Sequence, residues 1–135
     1  MNWKLIFQLS LFGLAMSFAT VYFIPSSGEA FFWLPIFLIS AYLVAKKCVE
    51  SFFLNGFMVS IVNSLWISAV HVILFDAYIA HHANEAHLYQ NPTMPIPPKA
   101  AMFILGVVMF GIGSGIVLGL FSFVASKIVK NKSIV

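Results

Sequence analysis

Residues 3–24 carry one charge, Lys4, in a run long enough to cross a lipid bilayer, and comparable apolar runs recur at 30–45, 51–80 and 100–126. About 20 apolar residues in a helix span the hydrocarbon core. The helix is the one conformation in which a single segment satisfies all its own backbone polar groups there. The rest of the composition agrees. Only 8% of the 135 residues are charged and 61% are hydrophobic, whereas soluble domains are about a quarter charged. The predicted fold class is therefore all-α integral membrane: a four-helix transmembrane bundle forming a single domain over 1–135, with the lipid bilayer as solvent.

The breaks between runs are legible. Pro25 ends the first, predicting a helix over 3–24. That run is longer than the apolar core of a secretory signal and has a single lysine before it, so a retained helix is expected. Ser26 and Glu29 have capping-box spacing, which predicts the start of a second helix over 30–45, with Pro35 near its first turn. Lys46-Lys47-Cys48-Val49-Glu50 interrupts again. The third run begins near Ser51, and its helical pattern continues past the apolar part to Tyr89, predicting a helix over 51–89 that projects from the membrane. Pro92, Pro95, Pro97 and Pro98 form a stiff strap over 91–98. A fourth helix over 100–126 leads into a lysine tail at 127–135. Short loops predict antiparallel packing of successive helices.

Charge gives the orientation. Lys4, Lys46, Lys47, Lys127, Lys130 and Lys132 all fall on one side if the helices alternate, and only Lys99 falls on the other, with Glu29 and Glu85. The positive-inside rule puts both termini in the cytoplasm, N-in/C-in. A bacterial inner membrane is the expected location. The net charge of +3 is explained by this rule, and no nucleic-acid partner is expected.

Candidate chemistry sits on the third element. His71, His81, His82 and His87 all lie there, with Asp76 and Glu85. At 100° per residue, Ser60, Ser64, His71, Tyr78, His82 and Glu85 form one stripe, with Asn63 and His81 at its edge. Lipid cannot satisfy such a stripe, so it should face protein or water. His71 is the histidine expected inside the membrane, Asp76 lies near the outer interface, and His81 and His82 lie beyond it. His81 and His82 are four and three residues from Glu85, within reach of one ion. Imidazole with carboxylate suits a divalent transition metal such as zinc, iron, manganese or copper. The same groups suit a proton path.

Gly111, Gly115 and Gly119 form a glycine zipper on the fourth helix, with Gly106 and Gly113 as a second small strip. Zippers let helix backbones approach closely. Ala15 and Ala19, and Gly13 with Ser17, offer matching small positions on the first helix, the expected partner. A homo-oligomer contact is the competing use. Cys48, beside two lysines, is placed to favour its thiolate. The leading functional expectation is a structural or accessory membrane subunit, packing with itself or a larger membrane partner. The alternatives are ion, metal or proton transport along the stripe, and a membrane metalloenzyme using the same cluster.

Overall fold

A computed structural model describes residues 2–23, 28–82 and 95–129. Four helices in it are long and apolar enough to cross a membrane. They are α1 (Trp3–Tyr22), α2 (Glu29–Lys47), α3 (Phe52–Ile73) and α5 (Pro98–Ile128), with a short α4 (Phe75–His81) after α3. Leu5, Ile6, Leu9, Met16, Trp33, Phe37, Val44, Val59, Val62 and Leu118 make the shared core. Large apolar side chains also face outward all round, among them Phe7, Phe31, Leu38, Met109 and Val124. In water such faces would be a liability; in lipid they are the expected outer surface.

Each boundary has a local cause. The Asn2 side chain accepts from the Leu5 backbone N–H and caps α1. Gly28 occupies the cap of α2; Ser26, the cap expected from its spacing, lies outside the described residues. Pro35 falls in the second turn of α2, because the helix begins at Glu29. Ser51 takes the left-handed conformation (φ 55°, ψ 44°), which costs a residue with a Cβ about 1–2 kcal/mol. It reverses the chain into α3.

The third element differs from the expected single helix. It bends at Leu74 (φ −102°, ψ 36°), and α4 ends at His81. The expected extension over 83–89, with Glu85 and His87, lies outside the described residues, as do Pro92 of the strap and Lys130 and Lys132 of the tail.

The expectation that successive helices pack as antiparallel neighbours holds for α3 and α5 and fails for α2. α3 is central, packed against α1 on one side and α5 on the other, while α2 packs mainly on α5 and only lightly on α3 and α1. α1 and α3 run parallel: the Asn2 N–H donates to Asn55 Oδ1 (2.9 Å) at one end, and Thr20 Oγ1 meets His71 Nε2 (2.9 Å) at the other. α5 runs antiparallel to α3, with Gly106, Gly111, Gly115 and Gly119 facing Ser68, Ser64, Phe57 and Phe53 in turn. Lys4, Lys46, Lys47 and Lys127 therefore share one end of the bundle with Glu50; Glu29, Asp76 and Lys99 mark the other.

A polar interlock on α3, the candidate functional site

The zipper is used inside the protomer, and its partner is α3 rather than α1. A Cβ placed on Gly115 would come within 2.8 Å of the Phe57 ring, and one on Gly119 within 2.8 Å of the Phe53 ring. One on Gly111 would lie 2.6 Å from Ser64 Oγ. Gly106 meets Ser68 Oγ in the same way. That fourth contact follows from a stretch the sequence did not reveal, the π-helical segment Gly106–Gly111. In an α-helix, residues five apart point about 140° away from each other. With i→i+5 bonding they come nearly into line, so Gly106 joins the face of Gly111, Gly115 and Gly119. Gly113, paired with Gly106 on sequence grounds, is exposed instead, with nothing within 4 Å of its Cβ position. Ala15 is exposed and Ala19 half-buried; among the small positions of α1, Gly13 lies against Asn63 of α3 and Ser10 meets Trp66.

The polar stripe of α3 is buried on both flanks. Ser60 and Asn63 are each 1% exposed and Ser64 is 0% exposed, so these groups do not meet lipid. They divide between two neighbours. Asn63 lies against Gly13 of α1, with its Cα 2.8 Å from where a Cβ would be. Ser64 and Ser68 lie against α5. Gly56 receives Ser122 of α5 in the same manner, with Leu118 O at 2.8 Å from its Cβ position. Four glycines thus each seat a side-chain oxygen of a facing helix. Asn63 Oδ1, Ser68 Oγ and Ser122 Oγ have no conventional hydrogen-bond partner among the described residues. Each sits in the space left by a glycine of the facing helix. Ser64 Oγ donates to Ile61 O (2.6 Å). One further tie holds α1 to α3: Trp66 Nε1 donates to Ser10 Oγ (3.2 Å), whose own hydrogen goes to Phe7 O within α1 (2.7 Å).

At the end opposite Lys4, Lys46, Lys47 and Lys127 the stripe becomes a stack of rings. His71 and Tyr78 have centroids 4.4 Å apart, and Tyr78 and His82 lie 4.1 Å apart at 13° between planes. In a straight helix His71 and Tyr78 stand about 10 Å apart along the axis; the bend at Leu74 brings them together. His71 Nε2 meets Thr20 Oγ1, which also lies 3.1 Å from Ser17 O. Thr20 has one hydrogen, so either it donates to Ser17 O and accepts from the imidazole, or it donates to the imidazole. Thr20 escaped the sequence reading; a hydroxyl three residues after Ser17 in an apolar span was its only signal.

His81 and His82 point apart. His81 Nδ1 lies 2.8 Å from Ala77 O, and His82 Nδ1 lies 3.0 Å from Tyr78 O. A carbonyl only accepts, so each Nδ1 carries its hydrogen, and in the neutral ring Nε2 keeps the lone pair that binds a proton or metal. His81 packs edge-on to Tyr22, at 6.0 Å. Asp76 is exposed in the first turn of α4, where a carboxylate suits the helix dipole. Among the described residues no three His, Cys, Asp or Glu side chains gather as a metal site. Glu85 and His87, the other expected members, lie outside those residues.

The lysine end holds a second polar arrangement. Asn55, 1% exposed, accepts from the Asn2 N–H and donates to Ser51 O (2.8 Å). It ties the start of α1 to the turn before α3. Beside it, Asn2, Lys47, Cys48, Val49, Glu50 and Asn55 line an open hollow of about 310 Å³. Cys48 is 3% exposed, and burial pushes its thiol pKa up. The thiolate character expected from the neighbouring lysines is thus overturned by desolvation. No family model matches the chain, and neither a curated protein nor a solved structure matches it.

Proposed function

We propose that this chain is a small accessory or structural subunit of a membrane assembly, spanning the bilayer four times with both termini in the cytoplasm of a bacterial cell. One observation carries the reading: the polar stripe and the zipper are taken up by contacts between the protein's own helices. Ser64, Ser68, Asn63 and Ser122 fill glycine notches, so they serve as interlocking parts of a rigid bundle. The faces left for a partner are the outer apolar ones. The four lysines at one end support the N-in/C-in orientation through the positive-inside rule.

The test isolates the protein from its own membranes in polymer-bounded lipid discs and measures particle mass, beside a proton-flux assay on the purified protein in vesicles. A mass well above the 15.0 kDa chain plus its lipid, with a fixed partner stoichiometry and no flux above empty vesicles, is expected. A lone protomer that dissipates a pH gradient, and stops doing so on His71→Ala, would replace this reading with transport. Transport draws its support from Ser60 Oγ and Asn63 Nδ2, buried at mid-helix with no hydrogen-bond partner among the described residues.

A further inference from the structure

Two kinds of serine occur in these helices. Ser10, Ser17, Ser64, Ser114 and Ser126 each donate back to a carbonyl three or four residues earlier in their own helix, the ordinary way a membrane helix satisfies a hydroxyl. Ser60 of α3 and Ser122 of α5 do not. They are 1% and 0% exposed, and neither oxygen has a hydrogen-bond partner among the described residues. The Asn63 side chain, also 1% exposed, is in the same condition at both its oxygen and its nitrogen. These groups share one face. Gly56, Ser60 and Asn63 lie within about 60° of one another round α3, and Ser122 fills the notch at Gly56, one turn below Ser60. Side chains on a helix tilt toward its N-terminus, so the Ser60 hydroxyl leans to the level of Gly56 and Asn63 leans to that of Ser60. At this spacing the Ser60 and Asn63 Cβ atoms stand about 5–6 Å apart, yet no hydrogen bond joins the two side chains. Asn63 Oδ1 sits in the Gly13 notch, which leaves Nδ2 as the end to be satisfied.

We propose that one water molecule is bound within the bundle, bridging Asn63 Nδ2 and Ser60 Oγ of α3 to Ser122 Oγ of α5. The amide donates to the water, and each hydroxyl can donate to it or accept from it. Three bonds is the usual number for a buried water, and they satisfy groups that are costly to bury unpaired. Water suits the site better than a cation does. A buried cation needs a countercharge, and the four acids, Glu29, Glu50, Asp76 and Glu85, all fall outside Phe52–Ile73. The water would tie α5 to α3 at the level where Asn63 already meets α1. The site requires only the four-helix bundle and is independent of any partner.

The test pairs a mutant cycle with a direct probe of water, both on the full chain. Removing a hydroxyl that has no partner leaves stability unchanged or raises it, whereas removing one that holds a water lowers it. Ser60→Ala should therefore lower the thermal unfolding midpoint in detergent by about 3–8 °C. Ser122→Ala should also lower it, and the double variant should fall by clearly less than the sum, because both act through one water. Ser68→Ala, eight residues along α3 from Ser60, should be additive with Ser60→Ala. In bilayers, solid-state NMR should show magnetisation passing from water to the Asn63 side-chain amide, and Ser60→Ala should weaken that transfer. A Ser60→Ala midpoint at or above the wild type overturns the proposal. So does additivity of Ser60→Ala with Ser122→Ala, or a wild-type Asn63 amide that receives nothing from water. A midpoint that rises with sodium chloride and not with choline chloride would put a cation in the site and overturn the choice of water.

Discussion

Gly13→Ala and Gly113→Ala add the same methyl group to two membrane helices, and the structure assigns them opposite consequences. At Gly13 the new Cβ would stand 2.8 Å from the Asn63 Cα, against an ordinary contact of about 3.5–4 Å. That neighbour is backbone, so no rotamer change relieves the clash, and α1 must back away from α3 by up to about 1 Å. Overpacking of this kind costs about 1–3 kcal/mol. The better helix propensity of alanine returns at most about 1 kcal/mol. The net expectation is destabilisation by about 1–3 kcal/mol. At Gly113 nothing lies within 4 Å, so only the propensity gain remains and the variant should match or slightly exceed the wild type. The buried Cys48 supplies the assay: a fluorogenic maleimide reacts as heating opens the bundle and exposes the one thiol. A clearly lower midpoint for Gly13→Ala with an unchanged or higher one for Gly113→Ala is expected. Equal midpoints, or the reverse order, would refute the notch argument.

Gly56→Ala should behave like Gly13→Ala, because its Cβ would meet Leu118 O at 2.8 Å; the same thermal assay reads it. Asn55→Ala should lower the midpoint by an amount equivalent to about 1–3 kcal/mol, since the Asn2 N–H loses its buried acceptor. Ser51→Gly should raise it by up to about 1–2 kcal/mol equivalent, by relieving the left-handed backbone at φ 55°. For Cys48 the sign follows from burial: the folded thiol holds its proton to higher pH than the unfolded one. Alkylation of the native protein should therefore stay slow through neutral pH, and stability should fall as pH rises above the ordinary thiol range, where the unfolded chain ionises first. Native-state labelling that is as fast as for a small free thiol would contradict this.

The spans were legible because each depends on composition over about 20 residues, a signal that local detail cannot mask. The stripe was legible for the same reason that it is buried: His71, Tyr78 and His82 fall on one helical face, and polar groups among apolar ones must be covered. The fine geometry was not. Whether Gly111, Gly115 and Gly119 pack on α1 or α3 depends on which helix presents matching residues at that depth, and Phe53, Phe57 and Ser64 do not announce themselves as partners. The π stretch alters the helical period, so a face drawn at 100° per residue misplaces Gly106. The bend at Leu74 has no proline or glycine to mark it. Asn55 and Thr20 were passed over because each is a single polar residue in an apolar run, and their bonds to Asn2 and His71 join residues more than 50 apart in sequence.

The use of the zipper within one protomer is tested most directly by cross-linking. In a Cys48→Ser background, Ser64→Cys and Gly111→Cys would place two thiols on facing positions, since a Cβ on Gly111 lies 3.1 Å from the Ser64 Cβ. Mild oxidation in membranes should convert the double variant to a faster-migrating monomer, dependent on both cysteines and reversed by reductant. A disulfide-linked dimer in place of that band would put the zipper between chains and contradict the account.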